Sequence, residues 1–326
     1  MRYTDEYRSV DRKVTFMSKK SGFVLLSVLS GILFGGAFAG NKLYDYAIKP
    51  RQRSDSDPDS SELITRGRKW VRNHEERRDI YINSIDSLRL HASFIPGKEK
   101  EHHYVVLIHG IWDSSEGMGI YAQEYEKKGW NMLLPDLRGF GQSEGDYIGY
   151  GHDDRYDIIE WIYWIIKRDP EAKILLHGTS MGAATTLLVT GESLPENVKC
   201  AISDSSYTTV KEEFMDVYET LDPKVAIIPS WLALPLLRLE VKVRAGYDYY
   251  KVKPIEAVKV SKTPTLFLHG DADKFVKPSM CRELFDAAAC KKEFCMTLGA
   301  GHIEGVWVDS RKYWSKIDEF LEHNNF

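Results

Sequence analysis

A chain of 326 residues can bury most of its apolar surface around one large core, so it needs no disulfide scaffold to be stable. Its 43% hydrophobic and 28% charged residues are those of an ordinary globular protein. A formal net charge of -4, with acids and bases interspersed beyond the N-terminus, leaves no basic stripe for nucleic acid.

The first departure from this average is residues 22–40, GFVLLSVLSGILFGGAFAG, which carry no charge. That run meets the lower length for a membrane-spanning helix, roughly 17 residues. Arg2, Arg8, Arg12, Lys13, Lys19 and Lys20 precede it and favour keeping residues 1–21 in the cytoplasm. Lys42, Lys49, Arg51 and Arg53 follow it and soften that contrast. The expectation is an uncleaved, single-pass signal anchor in the cell membrane, with the rest of the chain outside the cytoplasm. A cleaved signal peptide competes, because Ala37-Phe38-Ala39 resembles a cleavage site, and it would leave the protein secreted. A buried core helix is the weakest reading, because the run has no polar face. Residues 51–62, RQRSDSDPDSSE, cannot bury a core. They are the centre of an expected linker, 41–75, that holds the domain after it off the membrane.

From residue 76 onward, short strands alternate with longer helical stretches. Asp79–Ile85 and Leu88–Ile95 alternate in period two and predict an antiparallel, half-buried pair. Tyr104–Ile108, Asn131–Pro135, Lys173–Leu176, Ala201–Ser203 and Thr265–Leu268 are short apolar runs suited to central strands covered on both faces. Asp154–Arg168 sets Ile158, Trp161, Ile162 and Ile165 on one helical face. Such alternation predicts an α/β fold with a mostly parallel sheet, whose chemistry collects at the carboxyl ends of the strands. Residues 210–253 break the pattern with KEEFMDVYETL and IIPSWLALPLLRL. This insertion reads as an apolar cap over the site, rather than extra core or an oligomer contact.

Gly178-Thr179-Ser180-Met181-Gly182 follows the apolar run ILLH and precedes AATTLLVT. It is GxSxG between a strand and a helix. The sharp turn exposes a serine hydroxyl, and the flanking glycines let strand and helix approach without a Cβ clash. On these residues the chain resembles the α/β-hydrolase superfamily over roughly residues 80–320. Within it, the chain is similar to membrane-anchored or exported bacterial hydrolases related to monoacylglycerol lipases, cinnamoyl esterases and serine aminopeptidase-like proteins. The resemblance implies an eight-stranded, mostly parallel sheet and a triad in the order Ser, acid, His.

A serine hydroxyl needs an adjacent base. The resemblance implies His302, in Gly299-Ala300-Gly301-His302 after the strand EFCMTL, rather than His323 in the tail. It maps the acid of GDxDxxV onto Asp273, with Asp204 as the competitor and Asp271 as a turn former. The oxyanion hole needs two backbone N–H groups. One falls to Met181, after the nucleophile. The resemblance gives the other to Ile111, in His109-Gly110-Ile111-Trp112. Trp112 is a candidate substrate contact and equally a packing residue.

The loop Asp136–Ser143 (DLRGFGQS) reads as structural, with Arg138 paired locally. His102 and His103 lack a third ligand at useful spacing, and His177 and His269 read as hydrogen-bonded strand ends. Cys200, Cys281, Cys290 and Cys295 form no CxxC pair and read as packed thiols; outside the cytoplasm Cys290–Cys295 or Cys281–Cys290 bridges are the alternative. No metal or organic cofactor is implied.

The expected function is hydrolysis of a small or medium acyl ester through an acyl-enzyme on Ser180. A peptidase or amidase with the same triad is the alternative, and an acid in the pocket that could bind a free amino terminus would favour it. A membrane-tethered binding protein on a hydrolase scaffold is a third reading, against which the intact triad argues. Ser180 excludes dehalogenase and epoxide-hydrolase chemistry, which needs Asp as nucleophile. The oligomeric state is not legible.

Overall fold

The computed structural model describes residues 38–51, 61–98, 100–221, 226 and 228–326. Eight strands form one sheet: β1 Arg78–Asn83, β2 Arg89–Ile95, β3 Lys100–Ile108, β4 Trp130–Pro135, β5 Lys173–Thr179, β6 Val198–Asp204, β7 Thr265–Gly270 and β8 Lys292–Thr297. Their order is β1-β2-β4-β3-β5-β6-β7-β8. β1 pairs antiparallel with β2, and β2 with β4; every other pair is parallel. The expected hairpin and the expected parallel strands are all present.

The central strands are apolar on both faces because both faces are covered. In β3, Val106 and Ile108 join the core on one side, while Val105 and Leu107 join the core on the other. β5 divides in the same way, with Ile174 and Leu176 opposite Leu175. Helices α4 (Asp154–Arg168) and α5 (Met181–Thr190) cover the first face. Helices α3 (Gly119–Lys127) and α11 (Ser310–His323) cover the second. Three more helices, α8 (Pro254–Val258), α9 (Pro278–Ala287) and α10 (Gly305–Val308), complete the β6–β8 half.

The expected insertion between β6 and β7 contains two helices, α6 (Val210–Thr220) and α7 (Ser230–Arg244). Leu234, Leu237 and Val241 of α7 face inward, whereas Trp231 is 75% exposed and Leu239 59%. The helix therefore buries one apolar face and leaves further apolar side chains exposed beside its charged residues.

The expected linker 41–75 needs correction. Residues 38–47 are helical (α1) and lie against the cap. Tyr44 is buried beneath the Arg244 guanidinium, 3.7 Å from its ring centre, and Arg244 also donates to Asn41 Oδ1 at 2.7 Å. Ile48 is fully buried, and its carbonyl accepts the Ile148 N–H at 2.7 Å. Helix α2 (Glu62–Arg72), capped by Ser61, packs on α3 so closely that a Cβ at Gly119 would lie 2.0 Å from the Gly67 carbonyl. Both helices carry an apolar stripe, Leu43-Tyr44-Ala47-Ile48 and Ile64-Gly67-Val71, that the polar residues between them mask in composition. The expected membrane span, 22–40, lies outside the described residues up to 37. Among the described residues no helix is long and apolar enough to cross a membrane.

All four cysteines are unpaired, and three of them are buried. Burial pushes the Cys200 thiol up to about 12. They are packed thiols, not bridges.

Candidate active site

Ser180 occupies the turn between β5 and α5. Its backbone sits at φ 54°, ψ -119°, a left-handed conformation that a side chain adopts only under constraint. Two contacts impose it. A Cβ at Gly178 would lie 2.1 Å from the Gly182 carbonyl, and one at Gly182 would lie 2.1 Å from the Ile108 carbonyl. Only glycine lets strand and helix meet at both points. The Ser180 N–H is held by the Asp204 carbonyl at 2.8 Å.

The structure brings the three expected residues together from three strand ends. Ser180 Oγ lies 2.8 Å from His302 Nε2, and His302 Nδ1 lies 2.7 Å from Asp273 Oδ2. Asp273 Oδ1 accepts the N–H groups of Phe275 and Val276 at 2.8 and 2.9 Å. Burial pushes its pKa up, but hydrogen bonds from His269 and His302 outweigh that and hold the carboxyl below the usual carboxylate range. His302 packs beside Phe275 with the rings tilted, their centres 5.0 Å apart. The next residue, Ile303, has φ 56°, and its N–H reaches Ser205 Oγ at 3.3 Å. A β-branched residue there is strained, so this contact fixes the histidine loop at a cost.

Asp204, the competing acid, does not hydrogen-bond His302. Its Oδ2 accepts the Tyr313 hydroxyl at 2.9 Å and its Oδ1 the Ser205 hydroxyl at 2.9 Å, and burial raises its pKa. Asp271 serves its turn differently from expectation: it accepts the Gly299 N–H at 2.6 Å and so ties the acid loop to the histidine loop. His323 lies at the end of α11, paired with Glu293 at 3.0 Å.

Gly110 leaves so little room that a Cβ there would lie 3.2 Å from the Ser180 Cβ. Ile111 and Met181 both line the cavity that reaches Ser180. The Met181 N–H is the first of α5, so no carbonyl of its own helix can take it. Trp112, at φ 62°, lines the cavities on both sides of Ser180, and the Arg51 guanidinium lies 4.0 Å from its ring centre.

The remaining polar residues are structural in the expected way. Arg138 clamps Asp157 through two 2.8 Å bonds, and Asp136 holds His91 at 2.6 Å. A Cβ at Gly141, where φ is 56°, would lie 2.0 Å from the Asp136 carboxylate. His177 lies between the Tyr125 and Tyr313 hydroxyls, and burial pushes its pKa down to about 3, so it is neutral. His102 sits in β3 rather than in a loop and pairs with Asp169 at 2.9 Å. His269 is more than a strand end, because its Nε2 lies 3.0 Å from Asp273 Oδ2.

Two cavities meet at Ser180. The first, of about 820 Å³, is walled by α1, α6 and α7 and is almost wholly apolar. The second, of about 850 Å³, is more polar and holds Arg68, Asp113 and Trp307. His302 lines the second and not the first. Sequence reasoning missed two features of the first. One is the wall that Leu43, Tyr46 and Ala47 of α1 provide. The other is Glu213, which sits on the α6 stripe Val210-Glu213-Phe214-Val217 at helical spacing; an acid within an apolar stripe was the signal available.

A family model described as Serine aminopeptidase, S33 matches residues 99–249. The protein YqkD of Bacillus subtilis is 26% identical over 222 residues, 68% of this chain and 72% of its own. The α/β hydrolase domain-containing protein WAV2 of Arabidopsis thaliana is 26% identical over 256 residues, 75% and 78% of the two chains. The Pyrococcus furiosus esterase Pf2001 superimposes with a TM-score of 0.65 at 20% identity, over 84% of this chain and 98% of that one. The chain has the α/β-hydrolase fold and resembles serine hydrolases of that superfamily. The matched region 99–249 holds Ser180 and the loop of Ile111, whereas Asp273 and His302 lie beyond it.

Proposed function

We propose that the protein is a serine esterase that cleaves carboxylic esters of small to medium acyl groups through an acyl-enzyme on Ser180. The observation that carries this reading is the continuous relay from Asp273 through His302 to Ser180 Oγ, with bonds of 2.7 and 2.8 Å. Ser180 attacks the ester carbonyl as His302 Nε2 takes its proton. Asp273 fixes the tautomer and stabilises the imidazolium. The N–H groups of Ile111 and Met181 receive the developing oxyanion, each worth about 3 kcal/mol. His302 then returns the proton to the leaving alcohol, and water repeats the sequence to release the acid. The proton must reach the leaving oxygen from the histidine side. The cavity that His302 lines therefore takes the alcohol, and the apolar cavity takes the acyl group.

Cleavage of a peptide or amide bond by the same groups is the second reading. The matched family's description as a serine aminopeptidase supports it, as does the presence of an acid, Glu213, in the acyl cavity. A non-catalytic binding role has no supporting observation. No metal or organic cofactor enters this chemistry.

Residues 22–40 anchor the protein in the cell membrane, with the catalytic domain outside the cytoplasm. The uncharged run behind Lys19 and Lys20 supports this placement. Helix α1, residues 38–47, takes up the last three residues of that run and packs on the cap, so the domain lies against the membrane rather than at the end of a tether.

The test is turnover of p-nitrophenyl esters from C2 to C12 and of aminoacyl anilides by the wild type and Ser180→Ala. Ester turnover with a chain-length optimum, lost in Ser180→Ala, is expected. Turnover of anilides alone would replace the esterase with a peptidase.

A further inference from the structure

Glu213 is the one buried side chain lining the acyl cavity whose carboxyl oxygens both lack a hydrogen-bond partner among the described residues. It is 4% exposed, and its neighbours there are Phe214, Val217, Leu234 and Leu237. The hydroxyls of Tyr150, Tyr207 and Tyr218 in the cavity wall are engaged elsewhere. Tyr150 donates to the Ala47 carbonyl at 2.6 Å, Tyr207 to the Tyr150 carbonyl at 3.2 Å, and Tyr218 to the Ile228 carbonyl at 2.5 Å. The charges around it are also engaged: Asp216 holds Lys277 at 2.5 Å, and Asp273 holds the two histidines. A buried carboxyl without a partner weakens the fold, and a ligand that supplies the partner accounts for it.

We propose that Glu213 is a subsite for a hydroxyl group on the acyl chain, so that the preferred substrate is an ester of a hydroxylated fatty acid. This rests on the acyl-enzyme reading of Ser180. A carboxylic acid both donates and accepts a hydrogen bond, as a hydroxyl does, so the two satisfy each other in an apolar wall. An ammonium group would have to shed its water for one partner and leave its other donors unmet against leucine and phenylalanine. Burial, reinforced by Asp216 and Asp273 against the weaker pull of Lys277, pushes Glu213 up to about 8, which keeps it uncharged near neutrality.

The experiment uses the full-length protein in detergent. Its probes are p-nitrophenyl octanoate, the monohydroxy-octanoates with the hydroxyl moved along the chain, and the amino-octanoates. One hydroxy isomer should exceed octanoate in kcat/KM by about 10-fold, the worth of one well-made hydrogen bond. Glu213→Gln, which still donates and accepts, should keep most of that preference. Glu213→Leu should abolish it and raise octanoate turnover. Glu213→Leu should also raise Tm, by about 2–4 °C for each favourable kcal/mol. The native state holds a Glu213 proton that the unfolded chain releases, so its contribution to stability is full below pH about 4.5 and is lost as pH rises through about 8. The Tm advantage of Glu213→Gln over wild type should therefore grow across that window. Ser180-dependent octanoate turnover with no hydroxy isomer preferred overturns the subsite. So does a preference for an amino ester, or a Glu213→Leu protein that is less stable than wild type. Absence of Ser180-dependent turnover of every ester overturns the acyl-enzyme reading itself, and the subsite with it.

Discussion

Asp204 and Asp273 each lie at or just beyond the carboxyl end of neighbouring strands beside Ser180, and their partners separate them. Asp273 takes two backbone N–H groups and two imidazoles, a set that stabilises a carboxylate. Asp204 takes two hydroxyls in a fully buried site that opposes its charge. Substitution should reflect this. Asp273→Asn should lower kcat on an ester by about 10³–10⁴, because the amide no longer fixes the imidazole tautomer. Asp204→Asn keeps an acceptor for Tyr313 and should change kcat by less than about 10-fold. Steady-state kinetics of the two folded variants decides the matter, and the reverse order would move the acid to Asp204. From the strand–turn–helix setting for Ser180, and from the resemblance for His302 and Asp273, the candidate relay was legible. Glu213 was not. Its place on the apolar stripe of α6 is visible in the spacing, but that the stripe faces a cavity rather than core depends on where α7 packs.

Helix α1 is the element that changes the expected arrangement. Leu43, Tyr46 and Ala47 wall the apolar cavity at Ser180, Tyr44 carries Arg244 of the cap, and Ile48 is fully buried. Ile48→Ala should therefore destabilise the protein by about 2–5 kcal/mol in chemical unfolding, a cost typical of a core rather than a linker. It should also raise KM for a medium-chain ester more than it lowers kcat. A loss under about 1 kcal/mol with KM unchanged would show that α1 is not docked in solution. The sheet strands were readable because a strand buried on both faces must be apolar throughout, and few other elements that short are. The stripe of α1 spans only about one helical turn beside a longer apolar run. The charged and Ser-rich residues after it set the local composition, so the segment reads as linker.

At the scale of the molecule, the two cavities meet at Ser180, where the Asp273–His302–Ser180 hydrogen-bond relay ends. On the proposed esterase reading, the acyl group would enter beneath α6 and α7, the alcohol would leave past His302 and Trp307, and the carbonyl would be held between Ile111 and Met181, all residues that line the two cavities. These residues come from positions 111 to 307 in sequence. They converge because parallel strands deliver their carboxyl ends to one edge of the sheet. The strained backbone at Ser180, Trp112 and Ile303 lies along that edge, where constraint holds reacting groups in place. The acyl-enzyme is the centre of this account, and it is tested most directly by intact-mass analysis after treatment with an alkyl fluorophosphonate. The account predicts a single adduct on wild type, mapped to the peptide containing Ser180, and none on Ser180→Ala. A folded wild type that takes up no label, or an adduct that persists in Ser180→Ala, would contradict it.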